Sequence, residues 1–417
     1  MTRKRHTTAT SRLGKWLPSN QDALEAKLDE LTKQVEAKKE TITLHPVIGE
    51  FHDLIERDPV ARLYLTQMIA QVPDAMNRTT HLTSLDQLLL LINELLTQAP
   101  TYNATDLVGV PLNAILDGAM GTPAGFAAFR NDAINAMLKK ILTVWRQFLS
   151  SPASLYVLND TPTGWTCAAA QKDMAIHEYQ YEPDDEHWGF TSWNDFFTRR
   201  FKEGRRPIAE PDNDKVIVSA CESTPYHIST HVKKQDTFWL KSQPYSLRDM
   251  LANDAAVDQF VGGTVYQAFL SAHNYHRWHS PVTGTITKAF VKDGAYYSET
   301  EAEGEDPDGP VDSQGYITHV ATRALIFVKC DDPVIGLMCV MPVGMVEVSS
   351  CVIHPEITPG HRVKKGDELG YFQYGGSTCC LIFRPGAIAD FSLAALPEPY
   401  NPHAPLVLLN TKIATAP

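Results

Sequence analysis

Along the chain the rhythm of hydrophobic and polar positions changes once. Over residues 21–40, Leu24, Leu28, Leu31 and Val35 recur at helical spacing among charged residues, which predicts a solvated amphipathic helix. Asp58-Pro59 supplies an N-cap and a proline at the first helical position, opening a helix through Ala70. Ser84 caps the next, through about Leu96. Phe126, Phe129, Ile134, Met137, Leu138, Ile141, Leu142 and Trp145 fall on one face of another, which Ser150-Ser151-Pro152 stops. Residues 17–165 thus read as a helical domain behind a disordered tail at 1–16. Core packing accounts for its apolar stripes.

After Thr161-Pro162-Thr163-Gly164 the pattern shortens. A helix is expected over 193–201. Strand-like runs then follow at 216–219, 238–240, 285–291, 324–328, 337–340 and 346–348, punctuated by glycine and proline. They do not alternate with helices as βαβ units. The predicted class is therefore α+β, a helical N-terminal layer followed by a mostly-β domain over 166–417. The acidic, turn-rich segment 298–312 reads as a solvated loop.

Composition narrows the function. The 417 residues carry a formal net charge of −12, against a general nucleic-acid binder, although a local basic pocket for an anionic substrate stays open. Seven cysteines without a C-x-x-C pair indicate neither a disulfide framework nor a cysteine zinc site; reduced thiols in a cytoplasmic protein are expected. The basic start lacks the apolar core of a secretory signal. No run of about 18 apolar residues occurs, so no transmembrane segment is expected.

Two constellations could carry chemistry. The first is His273-Asn274-Tyr275-His276-Arg277-Trp278-His279-Ser280-Pro281. Its histidines could ligate a metal, but no acidic or cysteine ligand group accompanies them, and no metal is expected. They could be hydrogen-bonded core residues. They could also serve two proton-transfer steps, since imidazole titrates near neutrality. The second is Gly375-Gly376-Ser377-Thr378, flanked by strand-like residues (Leu369, Tyr371 and Phe372 before, 379–383 after). Paired glycines allow strained dihedrals and let a hydroxyl approach the preceding carbonyl, although most such strings are turns.

With these motifs in order, the sequence resembles the phosphatidylserine decarboxylase family. The resemblance rests on Ser192 to Ile208 (SWNDFFTRRFKEGRRPI), on 238–247, on Tyr275-His276-Arg277-Trp278-His279 and on Gly375-Gly376-Ser377-Thr378. Together with the helical N-terminal layer, it is closest in look to the fungal branch that decarboxylates free amino acids, tryptophan included.

The resemblance implies self-cleavage between Gly376 and Ser377, leaving a pyruvoyl group formed from Ser377 as the cofactor, with no pyridoxal phosphate. His279 would be the base of self-cleavage. His276 would handle protons in decarboxylation. Glu222, in Ser219-Ala220-Cys221-Glu222-Ser223, would replace the family's aspartate as the group that orients His279. Gly375, Thr378, Tyr275 and Arg277 would support the motifs. The large and small fragments would stay associated. The substrate would form a Schiff base with the ketone and lose CO₂.

A small amino-acid substrate is favoured, a tryptophan-like one first. Asn274 and Trp278 stand where the lipid enzymes usually carry Asp and Phe, and the context of Glu222 looks like that of the amino-acid branch. Phosphatidylserine is the alternative substrate. A biotinyl or lipoyl-like binding module, suggested by Val363 to Gly370, lacks its carrier lysine in Met341-Pro342-Val343-Gly344-Met345. The departure at Glu222 also raises a catalytically dead relative. A homo-oligomer is compatible with the sequence.

Overall fold

The structure of the chain, a computed structural model, describes residues 21–38, 41–72, 82–102, 111–236, 244–271, 273–300, 313–347, 350–375, 377–398, 401 and 404–417. The expected tail at 1–16, the strand at 238–240, most of the acidic segment 298–312 and Gly376 lie outside the described residues.

The N-terminal layer is helical: α1 (Gln21–Lys38), α2 (Pro46–Arg57), α3 (Pro59–Ala70), α4 (Leu85–Leu95), α5 (Pro111–Met120), α6 (Pro123–Ala128) and α7 (Asp132–Leu149). Local chemistry sets its boundaries. Asp58 Oδ1 accepts from the Val60 and Ala61 N–H groups at 2.9 and 3.1 Å, and Ser84 Oγ from Gln87 N–H at 3.1 Å, each satisfying N–H groups that the first helical turn leaves unpaired.

The stripe expected as one helix through Phe126 and Trp145 is two. Asn131 Oδ1 accepts from the Ala133 and Ile134 N–H groups and starts α7 afresh, so Phe126 and Phe129 belong to the preceding turn. Short helices α8 (Ala168–Asp173) and α9 (Trp193–Phe197) lead into the sheets; α9 ends four residues before the expected 201.

The strands are β1 (Val216–Val218), β2 (Thr224–Thr230), β3 (Thr264–Leu270), β4 (Arg277–His279), β5 (Gly284–Lys292), β6 (Arg323–Cys330), β7 (Leu337–Gly344), β8 (Ser350–Ile353), β9 (Arg362–Val363), β10 (Glu368–Gln373), β11 (Ser377–Phe383), β12 (Asp390–Phe391) and β13 (Lys412–Thr415). They form a seven-stranded sheet in the order β2-β3-β11-β7-β6-β5-β9 and two three-stranded sheets, β4-β10-β8 and β1-β13-β12. The pairings between these strands are antiparallel. With helices segregated to one side of antiparallel sheets, the fold is α+β. The expected strand at 346–348 is corrected: Val346 and Glu347 form a turn, and Val348 lies outside the described residues.

The large sheet is buried on both faces. Alternate residues of β11 face opposite ways. Cys380 and Ile382 join the core shared with the helices, alongside Leu28, Phe51, Ile92 and Trp145. Cys379, Leu381 and Phe383 join a second core with Trp278, Phe372 and Ile413. The helical layer and the β region therefore share one continuous core, and β11 runs through the middle.

Candidate active site

Ser377 is the first residue of β11. It sits opposite Leu270 of β3 and Gly344 of β7. It is 0% exposed, and its Oγ has no hydrogen-bond partner among the described residues. Buried hydroxyls are ordinarily paired, so an idle one marks a place where the fold gives up stability. Thr378 is tied down instead. Its Oγ1 donates to Ala268 O at 2.9 Å and accepts from Gln267 Nε2 at 3.0 Å. Gly375, two residues before Ser377, has φ +123°, open in practice only to glycine.

His276 lies on the segment entering β4 and is 0% exposed. Its ring stacks on Phe197 at 4.1 Å between centroids. Neither ring nitrogen has a well-formed hydrogen bond among the described residues. Burial, with Arg199 nearby, pushes its pKa down to about 3, weakly opposed by the Asn274 and Gly375 backbone. At neutral pH the ring is therefore uncharged, against the chain that precedes Ser377.

His279 is placed differently. Its Nδ1 meets the Gly366 carbonyl at 2.8 Å and its Nε2 the Tyr275 hydroxyl at 2.8 Å. A carbonyl can only accept, so Nδ1 carries the proton and Nε2 the lone pair. Burial lowers the pKa of this ring too, opposed by the Gly366 carbonyl. Arg277, between the two histidines, anchors the strand by donating to Thr198 O at 2.7 Å and to Glu368.

Glu222, expected to orient His279, makes its hydrogen bonds among the described residues to other groups. Glu222 Oε1 is held by Arg206 and by Leu409 N–H at 3.3 Å. Burial alone would lower the pKa of Arg206, but its bonds to Glu222 and Glu178 raise it. The Arg206 guanidinium lies 4.0 Å over the Phe201 ring, Phe201 packs at 4.4 Å on Tyr275, and Tyr275 bonds His279. The glutamate thus reaches the histidine through three side chains.

Several site residues escaped the sequence reading. Arg206 lies in the Gly204-Arg205-Arg206-Pro207 run that was read only as a motif. Phe197 and Tyr374 lie 5.3 Å apart just before Ser377 in the fold, and Trp145 and Trp193 meet Tyr374 at 4.9 and 6.0 Å. Nothing in their spacing separates such rings from ordinary core aromatics.

Two family profiles, both described as phosphatidylserine decarboxylase, match residues 45–174 and 193–396. The chain belongs to the phosphatidylserine decarboxylase family. Within that family it is 39% identical over 303 residues to the decarboxylase iboD of Amanita muscaria, covering 68% of this chain and 86% of that protein. It is 33% identical over 395 residues to the L-tryptophan decarboxylase of Psilocybe cyanescens, covering 88% of each. The phosphatidylserine decarboxylase proenzyme 3 of Schizosaccharomyces pombe is 32% identical over 197 residues, 47% of this chain and 19% of that one.

The family and these relatives make the protein a decarboxylase, a carboxy-lyase. Among the described residues no group of three or more His, Cys, Asp or Glu is arranged to hold a metal, and no helix is long and apolar enough to cross a membrane. All seven cysteines are buried free thiols.

Proposed function

We propose that this decarboxylase cuts its own chain between Gly376 and Ser377, turns Ser377 into a pyruvoyl group, and acts on a free L-amino acid with an aromatic side chain. The observation that carries the reading is the idle, buried Ser377 hydroxyl at the head of an interior strand of the large sheet, two residues after a glycine at φ +123°. These surroundings fit a serine that is consumed in making the group.

In self-cleavage, the Ser377 oxygen gives its proton to His279 Nε2 and bonds to the Gly376 carbonyl carbon. The Gly376–Ser377 C–N bond breaks, and an ester replaces the amide. β-Elimination then frees the Gly376 carboxylate. The new terminus tautomerises, takes up water and releases ammonia, leaving a ketone. The Gly366 carbonyl keeps the proton of His279 on Nδ1, so Nε2 can act as the base once the Tyr275 hydroxyl yields its place. Glu222 is a positioning residue in this scheme, acting through Arg206, Phe201 and Tyr275.

When present, the pyruvoyl carbonyl supplies a site for the substrate amine and takes up the electron pair released as CO₂ leaves. His276, neutral and stacked on Phe197, relays a proton to the substrate carbon, giving up one ring N–H as its other nitrogen takes a proton from solvent. The rings of Phe197, Trp193 and Tyr374 exclude water and offer faces to an aromatic side chain.

The choice of a free amino acid is supported by coverage. Likeness to the two Psilocybe L-tryptophan decarboxylases extends over 88% and 82% of this chain, and likeness to the phosphatidylserine decarboxylase proenzymes over 46% to 51%. The test is amine release from tryptophan, phenylalanine, other amino acids and phosphatidylserine vesicles. Release from the aromatic amino acids is expected; turnover of the vesicles alone would overturn the choice.

A further inference from the structure

Glu347 is 1% exposed, an acid alone in the apolar run from Val343 to Val348. It comes three residues after Gly344, the β7 partner of Ser377, so at most about 11 Å of chain separates it from that partner. Its Oε1 accepts from Asn113 N–H in the first turn of α5 at 2.8 Å, and its Oε2 has no partner among the described residues.

The idle oxygen has idle neighbours. Glu347 interacts electrostatically with Tyr297 and Tyr374, whose hydroxyls are both buried and have no partner among the described residues, as is true of the side-chain amide of Asn113. Polar atoms on four side chains thus lack a partner among the described residues at the end of the sheet where Ser377 sits. Such a cluster signals a polar guest. The backbone agrees: Val346 and Tyr297 hold φ of +45° and +55°, costly for non-glycine residues and most of all for a β-branched one.

Tyr374 ties the cluster to the proposed chemistry, since it lies three residues before Ser377 and its ring meets Phe197, the platform of His276. An amino acid held by its amine at residue 377 would have the aromatic wall beside it and the Glu347 cluster beyond.

Resting on the function proposed above, we propose that Glu347 determines specificity by accepting a hydrogen bond from an N–H on the substrate's aromatic ring, so that the enzyme selects an indole over a ring without a donor. Burial raises the pKa of this carboxyl to about 8, against the backbone N–H groups of Asn113, Glu347 itself and Leu112. Oε2 keeps a lone pair in either protonation state. A site built around such a donor discriminates strongly against analogues that lack it, because its own polar atom is then left unpaired. Helix α5 takes part by holding the other carboxylate oxygen, which gives the helical layer a share in substrate choice.

The test compares tryptophan with 1-methyltryptophan, which keeps the ring and loses the donor, in the wild type and in Glu347→Leu. The wild type is expected to prefer tryptophan in kcat/KM by roughly tenfold or more, the scale of one buried hydrogen bond left unmade. In Glu347→Leu the preference collapses towards unity, and Glu347→Gln, which keeps an acceptor, restores it. Calorimetric binding of tryptamine and 1-methyltryptamine reads the same ratio without turnover. A wild type that treats the two substrates equally overturns the proposal even if no variant folds, as does a variant that lowers both in proportion. Failure of the wild type to release amine from any free amino acid would instead sink the underlying function.

Discussion

His276 and Glu347 are buried groups whose titrations pull stability in opposite directions. The fold holds His276 neutral: burial, Arg199 and His273 depress its pKa to about 3, the Asn274 and Gly375 backbone opposes them, and the uncharged Phe197 ring covers one face. Its contribution is complete above the unfolded value of about 6.5 and is lost as pH falls towards 3. Glu347 faces Tyr297, Tyr374 and the backbone N–H groups of Asn113, Leu112 and Glu347 itself, and burial raises its folded pKa to about 8. Its contribution is complete below the unfolded carboxylate range and is lost as pH rises through 8. We therefore expect His276→Gln to lose less stability than the wild type between about pH 7 and 5, and Glu347→Gln to lose less between about pH 5 and 9. Urea midpoints across pH check both, and parallel wild-type and variant profiles would contradict them.

Sequence alone pointed to Ser377, His276 and His279 because two short motifs carry them. It could not give their partners. Glu222 answers to Arg206, sixteen positions upstream, and His279 to Gly366, eighty-seven downstream, both fixed only by how the strands cross. Glu347 left a signal, one acid in an apolar run, whose meaning lies in its contact with the first turn of α5, distant in the sequence.

At the scale of elements, helix starts were legible because caps are local: Asp58 and Ser84 act within three residues. The break at Asn131 was hidden because the apolar stripe keeps its spacing across it. Strand β7 ran past the expected end at 340 because pairing with β11 carries the chain through Pro342, opposite Cys379, despite the ladder bond proline cannot donate. Helix α7 supports the site from behind: Trp145 is 2% exposed, donates to Gln98 O at 2.8 Å and meets Tyr374 edge-on. Trp145→Ala should cost about 3–5 kcal/mol and slow the proposed self-cleavage by loosening Tyr374. Thermal melts and a processing time course check this; unchanged values for both would detach α7 from the site.

For the whole molecule, the position of β11 decides what a cut could do. It is buried along its length between β3 and β7, and the segment after it supplies β12 and β13 to a separate sheet. A fragment of residues 377–417 would thus belong to two sheets and both cores, and the pieces would stay together until denatured. The helical layer shares one of those cores, so it cannot be removed without exposing apolar surface on the large sheet. That α+β layering was legible from the single change of hydrophobic rhythm, while the strand order was not, since β3, β11 and β7 meet from distant parts of the chain.

Intact mass measurement under native and denaturing conditions, on the wild type and Ser377→Ala, tests the central claim most directly. The account predicts one native assembly that denatures into fragments 1–376 and 377–417, the smaller lighter by one ammonia than a fragment starting with serine, and a Ser377→Ala chain that stays whole. A wild-type chain that remains uncut under every condition, or a Ser377→Ala chain that is still cut, would contradict it.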